Sequence, residues 1–219
     1  MSGTGDLARR FSSLYTGVLT DVLDRHGFLQ QTLPADIAPL RPGMRLAGPV
    51  YPVLGRPHPG HDYDRSIRRI LEMLGSVPRG SVAVYETNDR AAAHLGELSV
   101  VSLASRGCAG AVIDGGARDT EYILREDFPV FSRYVTPQDC VPRWELLAHG
   151  EVTIVVGGVR VSPGDWIVGD RDGLVVVPGG RVRDILREAE EKVATENAIR
   201  DSVRTGALPL DAYERFGTF

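Results

Sequence analysis

The chain has 219 residues, 42% hydrophobic and 25% charged, and a net charge of −4. That length suits one domain, residues 1–219, able to bury roughly 70% of the surface its unfolded form exposes, and the mild acidic balance offers no footprint for nucleic acid or an anionic membrane. No apolar run approaches the roughly 20 residues a membrane span needs, Met1–Thr16 lacks the apolar stretch of a secretion signal, and two cysteines, Cys108 and Cys140, cannot build a disulfide framework. A soluble cytoplasmic protein with free, buried thiols is expected.

Leu7, Phe11, Leu14, Val18 and Val22 recur at helical spacing, with Thr16 a candidate cap inside the region and Gly27 a stop. Pro34–Pro49 reads as loop and Val50–Leu54 as a strand. Asp64–Leu74 reads as a helix with Ile67, Ile70, Leu71 and Leu74 inward. A strand at Ser81–Tyr85 precedes a helix from about Gly96 to Arg106, stopped by Gly107. Another strand begins at Gly110, then a short helix passes through Tyr122 and Leu124, and a strand covers Pro129–Tyr134. Beyond Glu151 come short β-runs at 153–156, 159–161, 165–168 and 174–177, joined by Gly-Gly, Pro-Gly and Asp-Arg-Asp-Gly turns. A charged helix runs from Gly179 to about Thr205, ended by Gly206 and Pro209. The pattern is α/β, opening into an antiparallel section and closed by a long C-terminal helix.

Chemistry concentrates in Gly110-Ala-Val-Ile-Asp-Gly-Gly-Ala-Arg-Asp119. A buried strand ends in Gly115 and Gly116, which suit a sharp turn and close approach by a ligand. Arg118 and Asp119 follow: a guanidinium fork suits a carboxylate, and an aspartate suits a hard divalent cation. Twenty residues separate Glu97 from Arg118.

Glu97, that gap, then Arg118 and Asp119 together resemble the signature of the 4-hydroxy-4-methyl-2-oxoglutarate/4-carboxy-4-hydroxy-2-oxoadipate aldolases. These share a family with the RraA-like regulators of ribonuclease E activity. Phe128-Pro-Val-Phe131 with Thr136-Pro137, Gly157-Gly-Val-Arg-Val-Ser-Pro-Gly-Asp165 and Gly169-Asp-Arg-Asp-Gly-Leu-Val-Val-Val-Pro178 agree. The resemblance runs from about Thr16 to the C-terminus and is strongest between Gly80 and Pro178. It implies a swivelling β/β/α domain and a metal-dependent lyase acting on 2-oxo acids, with oxaloacetate decarboxylation as a side activity. It also implies a homo-oligomer, trimer or hexamer, whose sites are completed by a neighbour's C-terminal glutamate; Glu196 is the candidate here.

In this reading Asp119 ligates Mg2+ or Mn2+, which needs only one or two protein carboxylates. The plain alternative is an aspartate complementing the dipole of the following helix. Arg118 clamps the substrate carboxylate, against the alternative of a surface pair with Glu121 or Asp127. Glu97 would hold a metal-bound water and serve as base or relay for the substrate hydroxyl. Gly96, Leu98 and Ser99 enter the same first helical turn, where free amides and the dipole favour an anion; in the resembled aldolases the two matching amides hold the pyruvyl carboxylate. Otherwise Glu97 is a helix-stabilising first-turn glutamate.

Rival features are weaker. His58-Pro-Gly-His-Asp-Tyr-Asp64 could ligate zinc, but Pro59 and Gly60 mark a polar loop and Asp64 suits a helix cap. This loop, Ser99 and the pair His94 and Leu95 depart from the family pattern. Asp165, Asp170 and Asp172 read as turn residues, and Glu191 as part of a solvated helix face. The single lysine, Lys192, sits among glutamates and is a poor Schiff-base amine. None of His26, His58, His61, His94 or His149 has a phosphoacceptor setting, and no glycine-rich cofactor loop supports a methyltransferase. A non-catalytic regulator of ribonuclease E is the main competing function.

Overall fold

The computed structural model describes residues 3–60 and 62–219; His61, weighed above as a metal ligand and phosphoacceptor, lies outside the described residues. The chain opens with α1 (Gly3–Ser12) and α2 (Thr16–Arg25), then the two-residue β1 (Ala38–Pro39) and the long β2 (Leu46–Pro57). Next come α3 (Tyr63–Ser76), β3 (Val82–Glu86), β4 (Ala93–Leu95), α4 (Glu97–Ser105) and β5 (Gly110–Ala117). After α5 (Thr120–Ile123) follow β6 (Val130–Val135), β7 (Trp144–His149), β8 (Ile154–Val156), β9 (Val159–Val161), β10 (Trp166–Gly169) and β11 (Leu174–Val177). A 3-10 turn at Gly179–Arg181 leads into α6 (Val182–Arg204), and α7 (Pro209–Phe216) closes the described chain.

Among the described residues, nine strands form one sheet in the order β1-β6-β5-β3-β2-β10-β11, with β4 on β5 and β7 on β2. The sheet curls into a half-barrel. Its middle, β2, β3, β5 and β6, is parallel, while β10 and β11 are antiparallel. Strand β2 joins the two halves: residues 46–49 pair with β10, 50–54 with β3 and 53–57 with β7.

The two-residue period of a strand explains why the sheet is buried on both faces. In β3, Ala83 and Tyr85 enter a cluster shared with Met73 of α3, Leu103 of α4 and Trp144, whereas Val82 and Val84 enter a cluster with Ile154 and Val156 of the β8–β9 hairpin. In β11, Val175 and Val177 pack with Phe11, Leu19 and Ile185 from the helices, while Leu174 and Val176 point the other way.

Several local expectations are corrected. Tyr15, not Thr16, occupies the N-cap position of α2; the Thr16 amide and hydroxyl each donate to the Asp170 carboxylate at 2.8 Å. Helix α3 is capped by Asp62, which accepts from the Arg65 amide, while Asp64 lies in the first turn paired with Arg68. Pro209 does not end helical structure but begins α7 at N1, where its missing N–H costs nothing. Gly115 and Gly116 make no turn: both lie inside β5 without positive φ. A Cβ on Gly115 would meet Thr87 Oγ1 at 2.7 Å, and one on Gly116 the Ala92 carbonyl at 2.7 Å, so these glycines serve close packing. Asp165 and Asp170 do serve their turns, accepting from the amides of Ser162 and Asp172. Both cysteines are free, Cys140 buried and Cys108 half-buried. No described helix is long and apolar enough to cross a membrane.

Candidate functional site

Parallel strands present their C-terminal ends along one edge, where ligands bind in open α/β sheets. Here β5 delivers Arg118 and Asp119 directly past that edge. The Arg118 amide donates to the Leu95 carbonyl at 2.9 Å, tying the end of β5 to the end of β4. Asp119 sits at φ 56 and ψ 34, in the left-handed region that few non-glycine residues adopt. The sharp turn expected of the glycines is therefore made by the aspartate itself.

Asp119 is the N-cap residue of α5, yet its side chain makes no cap bond there. Instead its Oδ2 accepts from the Glu97 amide at 3.3 Å and lies 3.5 Å from Arg118 Nε. Thus the carboxylate complements the N-terminus of α4 rather than its own short helix. Gly96, N-cap of α4, makes this approach possible: a Cβ there would stand 2.7 Å from Asp119 Oδ2 and 3.2 Å from Arg118 Nε. The Leu98 and Ser99 amides, in the first turn of α4, have no acceptor among the described residues.

These groups share a cleft of about 540 Å³. The structure brings together every residue singled out in one chain for the site: Gly96, Glu97, Leu98, Ser99, Arg118 and Asp119. It adds Asp139, which sequence reasoning missed, with Oδ2 3.6 Å from Arg118 Nη1. Gln138 and Cys140 hydrogen-bond to Ala93 of β4, which fixes Asp139 on the same edge. Its signal was its place: it follows the Thr136-Pro137 step just past β6, the parallel neighbour of β5. Glu121 and Asp127 take no part in pairing Arg118; Asp127 pairs with Arg41.

Beneath the cleft, burial pulls the His94 imidazole down to about 4, only partly opposed by Asp89 3.3 Å away, so the ring is neutral at pH 7. It packs edge-on against Trp144. Burial pushes the Cys140 thiol up to about 12, with Asp139 adding to the effect, so no thiolate nucleophile is available at neutral pH. Glu196 lies on α6 outside this cleft, 3.3 Å from Lys192, whose amine also pairs with Asp21 at 3.2 Å.

Among the described residues, no group of three or more His, Cys, Asp or Glu gathers as metal ligands, which excludes a protein-built cage of the zinc-finger type from them. Asp119 is half-exposed at the cleft mouth, and no described hydrogen bond occupies its Oδ1. One such carboxylate beside open space fits a magnesium-like ion that keeps most of its waters.

Fold and cleft define a mixed α/β protein with a polar-centred cleft at the C-terminal edge of its parallel strands. The family model described as RraA-like: Aldolase/RraA matches residues 16–176, and the chain belongs to that family. A Halalkalibacterium halodurans protein, provisionally named a 4-hydroxy-4-methyl-2-oxoglutarate aldolase, is 28% identical over 209 residues, covering 95% of this chain and 93% of its own. A chain solved under a title on novel cellulases from gut-associated microbes aligns with TM-score 0.84 and 31% identity, covering 89% of this chain and 86% of that one. Streptomyces coelicolor RraAS2, titled an unusual member of the RNase ES inhibitor RraA family, aligns with TM-score 0.78 and 26% identity over 90% of this chain and 96% of its own.

Proposed function

We propose that the cleft is the active site of a divalent-metal-dependent lyase that cleaves, or forms, the C3–C4 bond of 4-hydroxy-2-oxo acids. Oxaloacetate decarboxylation is its side activity. One observation carries the reading: Arg118, Asp119 and the free amides of α4 converge across Gly96 in a single cleft. Arg118 binds the C1 carboxylate through its planar fork, and being always charged it takes no proton. The Leu98 and Ser99 amides orient the same pyruvyl end. Asp119 would hold the Mg2+ or Mn2+, which when bound supplies Lewis-acid stabilisation of charge developing on the C2 oxygen. Glu97 accepts the C4 hydroxyl proton through a water as the C3–C4 bond breaks. In oxaloacetate the same bond breaks, and carbon dioxide departs instead of a carbonyl product.

A Schiff-base route would need a desolvated lysine in the cleft. Lys192, the chain's single lysine, is ion-paired elsewhere. Glu196 cannot serve its own chain's cleft from α6, so its proposed part is to complete the site of a neighbouring copy in a trimer or hexamer. The cellulase named for one structural neighbour is not carried over: cellulose is neutral and offers the Arg118 fork no carboxylate to bind. The regulator reading needs none of Glu97, Arg118 and Asp119 to share a cleft; a stable ribonuclease complex unaffected by Arg118→Ala would revive it.

The test is pyruvate release from oxaloacetate and from 4-hydroxy-2-oxo acids, monocarboxylic and dicarboxylic alike, with and without EDTA. EDTA-sensitive release that disappears in Asp119→Ala is expected. A wild-type protein giving no such release refutes the proposal.

A further inference from the structure

The lining of the cleft has two chemically different parts. One is a face of α3, where Tyr63, Ile67, Ile70, Leu71 and Leu74 recur at helical spacing. Helix α3 is rich in charge, but Arg65, Arg68, Arg69 and Glu72 all lie on its other side. Leu98 and Tyr122 continue the apolar lining. Tyr63, Leu71, Leu98 and Tyr122 are 59%, 58%, 80% and 55% exposed. Scattered apolar side chains on a surface need no explanation, whereas a group of them lining one cleft with a polar centre marks a ligand site.

Charge in the other part of the lining sharpens this. Among the described residues lining the cleft, Arg118 is the one permanent cation, against the carboxylates of Glu97, Asp119 and Asp139. Arg118 already has Asp119 at 3.5 Å and Asp139 at 3.6 Å. A divalent ion on Asp119 would offset that negative charge, but a second carboxylate reaching the α3 face would find no cationic side chain among the described lining residues there. A carboxylate gains nothing against hydrocarbon, whereas an alkyl tail buries apolar surface on it.

We propose that the part of the substrate beyond C4 is uncharged and apolar and packs on the α3 wall. This rests on the lyase reading and narrows it to 4-hydroxy-2-oxo monocarboxylic acids. The C3–C4 bond breaks with its electron pair going to C3, the C4 hydroxyl gives up its proton as the C4 carbonyl forms, and C3 regains a proton. The products are pyruvate and an alkyl or aryl aldehyde. The substrate named for the Halalkalibacterium halodurans relative carries two carboxylates, so this cleft selects against the tail that name implies.

Binding separates the tail from the reaction. Calorimetry in magnesium buffer compares 2-oxohexanoate with 2-oxoadipate, which have the same chain length and end in methyl or carboxylate. The expected result is at least about tenfold tighter binding of 2-oxohexanoate, with affinity rising about fourfold per methylene along the alkyl series until the cleft is filled, from about 0.8 kcal/mol per buried CH2. Leu71 is exposed, so Leu71→Lys leaves the fold intact; it should shift the ratio towards 2-oxoadipate by about tenfold. Equal or tighter binding of 2-oxoadipate, or a flat alkyl series, overturns the proposal. So does a Leu71→Lys protein whose sedimentation changes while its tail preference does not, since the face would then belong to a second copy of the chain. Pyruvate release is scored separately. A carboxylate preference with release intact sinks this inference alone, and an alkyl preference without release from any 4-hydroxy-2-oxo acid sinks the lyase reading.

Discussion

Replacing Gly96 by alanine would place a methyl carbon 2.7 Å from Asp119 Oδ2, 3.2 Å from Arg118 Nε and 3.3 Å from Arg118 Cγ. The backbone itself is indifferent, because φ −126 and ψ −177 are ordinary extended values. Relief must come from the side chains. Ordinary contact begins near 3.4 Å, so the carboxylate has to retreat by roughly 0.7 Å. Its bond from the Glu97 amide is already 3.3 Å long and would be lost. Losing a cap costs about 1 kcal/mol, and alanine recovers about 0.4–1 kcal/mol by restricting the unfolded chain. Global stability should therefore barely move, with the melting temperature within about 3 °C of wild type. Activity should not survive so well: displacing a positioned group by about 1 Å costs on the order of 10²-fold. The assay pairs a circular-dichroism melt with pyruvate release followed through lactate dehydrogenase. Gly75→Ala is the control, since a Cβ there meets nothing within 4 Å. A Gly96→Ala protein with near wild-type kcat/KM would refute the claim that these three residues form one working cradle.

Asp114 accepts from Arg133 Nε, from Arg90 Nη1 at 2.8 Å and from the Gly157 amide at 3.2 Å. Burial pushes its carboxyl up, but the bonds from Arg133 and Arg90 outweigh this and hold it below the usual carboxylate range. Asp114→Asn should cost about 3 kcal/mol in urea melts near pH 7. Because the folded pKa lies below the unfolded value of about 3.9, that deficit should be constant above about pH 4 and shrink as pH falls further. His94 acts in the same direction at higher pH: its folded pKa of about 4 lies below the ordinary 6.5, so the stability tied to its neutral form is complete above 6.5 and fades towards 4. Wild type should lose roughly 3 kcal/mol more than His94→Gln over that interval, measured as the pH slope of urea midpoints; parallel slopes would place the proton elsewhere. Lys192→Met should keep full pyruvate release, resist borohydride trapping and lose about 2 kcal/mol of stability, since the partly buried pairs with Asp21 and Glu196 are removed. Inactivation by that substitution would restore the amine mechanism.

The local periods were legible in the residues themselves. Short apolar runs bounded by turn residues marked β3, β5, β10 and β11, helical spacing marked α3, a charged run after Gly179 marked α6, and Arg118 with Asp119 stood out where an apolar strand ends. Other elements were not legible. Trp144–His149 contains Glu, Leu and Ala, residues with no strand preference, and becomes β7 only because β2 offers it a partner. Ala93–Leu95 is too short to show a period and is a strand only beside β5.

Residue identity and near neighbours along the chain were enough for the family, the alternating elements and the chemical types at the cleft, because each of these is a local property. Three things came from the folded chain alone: Asp119 turns back onto α4, Asp139 joins Arg118, and α3 faces them with hydrocarbon. Strand order and register bring together residues 20 to 70 positions apart, and no pattern with a period of two or three to four residues encodes a distance across a sheet edge.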